Sequence, residues 1–437
     1  MNKKTSSKLS ILTEKIQTKQ AVVGVIGLGY VGLPLALETV KNGFSAIGFD
    51  KNIDKINSLN QKQSYISDLL SASIQEAVDS KKFMATNQFE LLQQADIILI
   101  CVPTPTTADK SPNITYIEEA VMKIQQHMTE GTLIILESTT YPGTTREIIY
   151  PIIEQGGYTV GDNCFIAYSP ERIDPGNRHF NVKNTPKVVG GLTQNSTELA
   201  KLFYEEALKT QVHCVSTPEV AEMEKLLENT FRQVNIALIN ELSKVCHAMN
   251  IDIWEVVNAA ATKPYGFMRF TPGPGVGGHC IPIDPKYLLW IGQQHGVHVS
   301  IIDIADKVNG SMPQFVVERL TNYLNIQRKP LEGAKVIVIG VTYKPNINDT
   351  RESPALKIVQ LLQSANCEIQ IVDPFIEEVC NMRTVQLTSE LIQQADGVVI
   401  LTNHSNINYE MIDDNANFIF DTRQTDYAFS NENYYKL

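Results

Sequence analysis

The sequence predicts an α/β protein: two parallel-sheet units joined by a central α-helical domain with one long helix. Three observations carry that expectation. An apolar, β-branched run at residues 21–26 breaks into a glycine-rich turn and then a helical pattern. A second such run, KVIVIG at residues 335–340, opens a similar strand-and-turn unit that ends on an acid. Between them, residues 218–250 keep helical spacing with no interior proline or glycine, enough for a helix of about 45 Å. The expected division is an extension at 1–20, a first unit at 21–212, a helical domain at 213–320 and a second unit at 321–437.

Length and composition agree with a multidomain globular chain. At 437 residues there is room for two or three domains with full cores. A net charge of −11 argues against nucleic acid as a partner. Seven cysteines, scattered singly, do not form a disulfide framework, and no apolar run is long enough for a signal peptide or membrane span. These features point to a reducing cytoplasm and no membrane contact. Residues 1–20 read as a mobile or helical extension with no evident task.

In the first unit, Gly27, Gly29 and Gly32 of GLGYVG form a GxGxxG turn that also contains Tyr30 and Val31. Such glycines permit a tight turn, close approach of a pyrophosphate and close packing of helix on strand, the mark of a Rossmann-like dinucleotide site. Residues 45–49 read as the next strand and Asp50 ends it, where an acid accepts from ribose hydroxyls and repels a 2′-phosphate. NAD is therefore the expected cofactor, with Lys55 nearby as a further candidate. Later strands at 97–102, 132–136 and 165–168 end in Pro103-Thr104, in Ser138-Thr139 and in Ser169-Pro170-Glu171-Arg172. Ligands bind beyond such carboxyl ends, although threonine there also serves as an ordinary helix cap.

On the long helix, Lys225 and Asn229 lie four apart and share a face. A lone lysine on a helix is equally a solvated surface charge. The mostly helical middle offers apolar surface for self-association. Its pattern is interrupted at residues 273–285, GPGVGGHCIPIDP, a glycine- and proline-bent loop that presents Cys280 and Asp284. A thiol so held suggests a nucleophile, the alternative being an inert buried cysteine. No metal is expected, because His279, Cys280 and Asp284 are too close in sequence for a tetrahedral set. In the second unit, QQAD before the strand at 397 repeats QQAD before the strand at 97, but Gly340 is not followed by a full glycine motif. There Lys344 and Arg351 are suited to phosphate, or to surface ion pairs.

GLGYVGLP, CVPTPT, STTYPG, SPE, KLLEN, GGHCIPIDP and YKPNINDTRESP occur in one order from residue 21 onward, and this set resembles the UDP-glucose/GDP-mannose dehydrogenase family. The resemblance implies an N-terminal NAD-binding domain, a central dimerisation domain and a C-terminal UDP-binding domain. It implies four-electron oxidation of a UDP-sugar at C6, with Cys280 as nucleophile and Lys225, Asn229, Asp284, Thr139 and Glu171 around the oxyanion and water. Gly27, Gly29, Tyr30, Val31, Gly32, Asp50, Lys55, Pro103, Thr104, Thr139 and Arg351 would meet the cofactor. Glu171, Arg172, Lys225, Asn229, Phe270, Gly273, Gly277 and Lys344 would meet the sugar nucleotide; Arg269 is placed there, or across a dimer interface, by charge and position alone. Val276, His279 and Ile283, with Ile173-Asp174-Pro175-Gly176 after SPE and KPYGF at 263–267, resemble the N-acetylhexosamine branch, above all its UDP-N-acetylglucosamine members; UDP-N-acetylmannosamine, UDP-N-acetylgalactosamine and UDP-glucose stay open as substrates. A two-electron hydroxyacid-type dehydrogenase or a nucleotide sensor would share the first unit, but neither needs Cys280.

Overall fold

The computed structural model describes residues 5–66, 69–107, 111–172, 184–278 and 280–437. They fall into two compact units, Met1–Glu228 with Lys286–His295, and Asn229–Pro285 with Gly296–Leu437. His279 and residues 173–176 lie outside the described residues.

The first unit is built on eight strands: β1 (Val22–Ile26), β2 (Ser45–Phe49), β3 (Phe83–Thr86), β4 (Ile97–Ile100), β5 (Leu133–Leu136), β6 (Phe165–Tyr168), β7 (Lys187–Gly191) and β8 (Val212–Cys214). Their order is β3-β2-β1-β4-β5-β6-β7-β8, and neighbours are parallel except β6 with β7. A parallel sheet is covered on both faces, which is why its central strands are continuous apolar runs. Ile97, Leu99, Leu133 and Ile135 enter one core, whereas Ile98, Ile100, Ile134 and Leu136 enter the other. Each such fully buried side chain contributes roughly 1.5–3 kcal/mol of transfer free energy. The order reverses between β1 and β4, so a crevice for a ligand opens there.

The N-terminal helix Thr5–Gln17 packs on this unit, burying Leu12 and Ile16 in the first core. Its Lys15 pairs with Asp96 at 2.6 Å, and the other oxygen of Asp96 accepts the Val22 N–H at 3.0 Å. The second unit repeats this clasp: Asp396 accepts the Lys335 N–H at 2.8 Å and pairs with Lys329 at 2.9 Å. The QQAD repeat thus has a physical content. Its aspartate, just before one strand, ties down the first residue of the neighbouring strand.

In the second unit, β9 (Lys335–Ile339), β10 (Glu368–Val372), β13 (Gly397–Ile400), β14 (Ile419–Asp421) and β15 (Tyr434–Lys436) form a parallel sheet in the order β10-β9-β13-β14-β15. A small antiparallel ribbon joins β11 (Glu378–Val379) to β12 (Met382–Arg383). The helices Ile253–Ala260 and Ser300–Ile326 precede the sheet, and the long helix Pro218–Ala248 spans the division between the units.

The two sheets begin alike. Gly27 N–H donates to Phe49 O at 2.8 Å and Gly340 N–H to Val372 O at 2.9 Å. One residue on, Leu28 N–H donates to Asp50 and Val341 N–H to Asp373, at 3.0 and 2.7 Å. They then diverge, because the Asp373 carboxylate also meets the buried His404 ring at 3.2 Å. His404 Nδ1 accepts the Asn346 N–H at 3.0 Å, so the imidazole braces the loop after β9.

Gly340 has φ +77°, and a Cβ there would stand 2.3 Å from the Thr402 carbonyl oxygen. Gly340→Ala is expected to lower the thermal midpoint by an amount equivalent to roughly 1–3 kcal/mol. Gly333→Ala, at φ +72° with nothing within 4 Å, isolates the conformational part and should cost less. Equal melting curves for the two variants would refute the steric contribution.

Candidate active site

In the first unit the glycines leave a cradle at the β1–β4 reversal. Gly27 has φ +94° and a Cβ would fall 2.4 Å from the Cys101 carbonyl; at Gly32 it would fall 2.0 Å from the Gly27 carbonyl. Gly29 faces open space, with nothing within 4 Å of its would-be Cβ. Two glycines therefore serve packing and the third leaves room for a ligand. Val31 is half-buried beside them, and Tyr30 is exposed. Asp50 shapes the turn: one oxygen accepts from Leu28 N–H and from Lys55 Nζ at 3.3 Å, the other from Asn52 N–H at 2.9 Å. With the N-terminus of the helix Gly32–Lys41 beside the turn, this donor set fits a dinucleotide's diphosphate and ribose.

Along the strand ends, Pro103 is exposed and Thr104 is buried, its carbonyl taking the Tyr287 hydroxyl at 2.5 Å. Ser138 Oγ donates to the Val102 carbonyl at 2.8 Å, and the half-buried Thr139 follows it. Lys225 Nζ donates to the Glu171 carbonyl at 2.5 Å. Lys225 is therefore a buried lysine fastened to the end of β6, not a solvated surface charge. Arg172 is held between Glu224 and Glu228 and donates to the Pro186 carbonyl at 2.8 Å.

In the second unit, Cys280 is exposed, in contrast to the buried Cys101, Cys164 and Cys367. Its carbonyl accepts the N–H groups of Ile283 and Asp284 at 3.1 and 2.9 Å, closing a turn at the start of the helix Asp284–Gln294. The Asp284 side chain is buried and accepts Asn229 Nδ2 at 2.5 Å. The preceding glycines are pressed against residues 341–354. Gly278 N–H donates to the Arg351 carbonyl at 2.9 Å, and a Cβ at Gly277 would lie 2.7 Å from Tyr343 Cβ. Gly273 N–H donates to Asn240 Oδ1 at 2.9 Å, and Asn240 continues through Asn309 to the Gln233 carbonyl, a buried amide relay. Val276 is half-buried and Ile283 buried.

The remaining candidates divide. Lys344 is half-buried on the same loop as Tyr343. Arg351 forks its guanidinium onto Asp349, at 3.0 and 2.6 Å, so its side chain meets an acid of its own loop. Arg269 is exposed and donates to Asn258 at 3.0 Å, and Phe270 packs edge-on against Phe231 at 5.8 Å.

Several residues carry no sequence signal. Arg423, after β14, lies against Gly273, with Nη1 2.9 Å from a would-be Cβ. Burial draws its pKa down to about 10, which leaves it cationic at neutral pH. On the long helix, the fully buried Glu222 accepts Gly143 N–H, Thr145 N–H and Thr145 Oγ1 at 2.6, 2.9 and 2.7 Å. It clamps the loop that follows Thr139. Acids three residues before a lysine are common on helices, and only the tertiary contact distinguishes this one.

Three family models match the chain in order. They describe the NAD binding domain (residues 21–209), the central domain (219–311) and the UDP binding domain (337–426) of the UDP-glucose/GDP-mannose dehydrogenase family. A UDP-N-acetyl-D-glucosamine 6-dehydrogenase of Pseudomonas aeruginosa is 36% identical over 89% of this chain and 91% of its own. A UDP-N-acetyl-D-mannosamine dehydrogenase of Methanocaldococcus jannaschii is 36% identical over 87% of this chain and 85% of its own. Among solved structures, a UDP-D-ManNAc dehydrogenase from Pyrococcus horikoshii superposes with a TM-score of 0.86 at 30% identity, covering 95% of this chain and 98% of its own.

Burial pushes the Glu222 carboxyl up to about 7 from 4.5, against the lowering effect of its Thr145 and Gly143 donors. Between those values the folded state holds more proton than the unfolded one, so this group's contribution to stability falls as pH rises through the window. Glu222→Gln should flatten that part of the stability profile. Thermal midpoints of both proteins from pH 5 to 8 test it; parallel profiles would contradict the assignment.

Proposed function

The chain belongs to the UDP-glucose/GDP-mannose dehydrogenase family and is an NAD-dependent UDP-sugar dehydrogenase, and from that premise we propose that it oxidises the C6 alcohol of UDP-N-acetylglucosamine to the carboxylate. The observation that carries the four-electron chemistry is the loop of Cys280: an exposed thiol on a backbone immobilised by glycine packing, with the buried Asn229–Asp284 pair at its base. A two-electron dehydrogenase has no use for such a thiol.

NAD, when bound in the glycine cradle, supplies the hydride acceptor for both oxidations. The cradle's residues orient it: Asp50 toward ribose hydroxyls, the Gly29 backbone and the following helix toward the diphosphate. Cys280 adds as thiolate to the C6 aldehyde, and the thiohemiacetal, once oxidised, is a thioester that water cleaves to the acid and the regenerated thiol. Lys225 provides positive charge for the oxyanion at each tetrahedral stage. Asn229 and Asp284 hold the water and its proton, with Thr139 and Glu171 in the same task. Lys344, Gly273, Gly277 and Phe270 serve the sugar nucleotide.

The N-acetylglucosamine assignment is supported by the apolar Val276 and Ile283 in the cysteine loop and by the Pseudomonas relative. UDP-N-acetylmannosamine is the second reading, because the mannosamine relative is equally identical. We further propose a cytoplasmic homodimer; among the described residues no helix is long and apolar enough to cross a membrane. Phe231, Leu238, Leu242 and Val245 are all exposed on the long helix, an apolar face suited to a second copy.

Purified protein with UDP-glucose, UDP-GlcNAc, UDP-ManNAc and UDP-GalNAc should yield two NADH per sugar, fastest with UDP-GlcNAc. Activity confined to UDP-glucose would overturn the substrate. Cys280→Ala should lose turnover by a factor of about 10³ or more. Retention of two NADH per sugar by that variant would overturn the thioester route.

A further inference from the structure

The first unit buries an ion pair that the chemistry above does not use. Lys187, the first residue of β7, pairs with Glu137 at 2.6 Å, and their side chains are only 6% and 0% exposed. The second Glu137 oxygen takes the Tyr204 hydroxyl, and the ammonium lies 4.9 Å from the Tyr204 ring centre. The Glu171 carboxyl acts on the same charge.

The placement of this pair is informative. Besides Glu137, Lys187 Nζ donates to the Pro170 carbonyl at 3.1 Å. The next carbonyl, that of Glu171, takes Lys225. Two buried lysines thus hold two successive carbonyls at the end of β6. Glu137, from the end of β5, is itself tied to β4 through its N–H on the Ile100 carbonyl at 2.9 Å, and Ser138-Thr139 follow it directly. Stability alone does not account for charges here, since a buried pair is often replaced by apolar residues at no net cost. An apolar pair, however, cannot donate to the Pro170 carbonyl.

We propose that Lys187, held by Glu137 and Tyr204, is a positioning residue for the dehydrogenation: it fixes Pro170-Glu171 and, through the Glu171 carbonyl, the ammonium of Lys225. This rests on the reading of Lys225 as the oxyanion's cation. Lys187 touches neither sugar nor cofactor in this role. Its loss should therefore lower kcat while KM and NAD affinity stay in place.

The test is the double variant Glu137→Gln/Lys187→Met, in which no bare charge is buried and the amide introduced at position 137 can still accept from Tyr204. Thermal midpoint, NAD affinity by fluorescence, and kcat and KM with the best UDP-sugar are measured against the wild type. The expected result is a folded protein with KM and NAD affinity within about twofold and kcat lower by about tenfold or more, the scale of a small misplacement of a reacting group. Unchanged kcat, or a joint fall of kcat, NAD affinity and thermal midpoint, would overturn the proposal. Should the double variant not fold, Tyr204→Phe removes a single hydroxyl and decides the matter: kcat about threefold lower at constant KM supports it, and wild-type kcat refutes it. The wild type's NADH yield, read in parallel, tests the thioester chemistry separately; a yield of one per sugar would sink that route while the kcat comparison still judges Lys187.

Discussion

The second unit depends on a close approach of two backbones. Residues 273–278 lie against residues 341–354 with no space for side chains at Gly277 and Gly278, where a Cβ would come within 2.7–2.8 Å of Tyr343. Glycine is required there by packing, and at Gly278 also by φ +88°. The consequence is a cysteine whose position is set from both sides. The Gly278–Arg351 hydrogen bond holds the residues before it, and the turn onto Ile283 and Asp284 holds those after it. If Cys280 is the nucleophile proposed above, such fixing spares it the entropy of being oriented at the moment of reaction.

The bracing loop is itself held by a buried polar network. His404 accepts from Asn346, and Asp373 accepts from Val341 and Phe375. In the first unit the equivalent acid, Asp50, has no histidine against it among the described residues, and its side chain remains partly exposed, at 12%. One device, an acid that receives the N–H after a strand-end glycine, has therefore been put to two uses. In one sheet it shapes a dinucleotide cradle, and in the other it anchors the loop that supports the cysteine. Packing around the acid, not its position in the chain, separates the two.

Buried charge follows a similar logic along the long helix and its neighbours. Glu222, Lys225 and Asn229 stand at three- and four-residue intervals, and each is committed to a different segment: the loop after β5, the end of β6, and Asp284. Burying such groups is costly unless each finds a partner. Within the first unit the partners of Glu222 and Lys225 are largely backbone groups, and within the second Asn229 takes the Asp284 carboxylate.

Much of this was legible in the amino-acid order. The glycine turn with Asp50, the QQAD repeat and the uninterrupted helical pattern after residue 218 rest on local rules: φ preference, strand alternation and helix periodicity act between near neighbours. The short outer strands β3, β7, β8 and β15 are not evident from the sequence. They are three to five residues long, and β8 and β15 are not fully buried, so their apolar signal is weak. Residues 1–20 gave no hint of docking, because Leu12 and Ile16 become a core face only when the sheet is present. Of the two roles the sequence leaves open for Arg351, phosphate or ion pairing, the Asp349 contact exists only after folding brings the acid under the guanidinium. Gly277, Glu222, Lys187 and Arg423 belong to the same class. Their meaning lies in contacts spanning up to 150 residues of chain, as between Gly273 and Arg423. The sequence by itself determined the main elements and the family and singled out Cys280 as the candidate thiol, whereas the tertiary structure alone decided which buried charges and backbone contacts surround the candidate residues. Short-range conformational preferences are written residue by residue, but the partner of a buried polar group exists only after folding has brought it there.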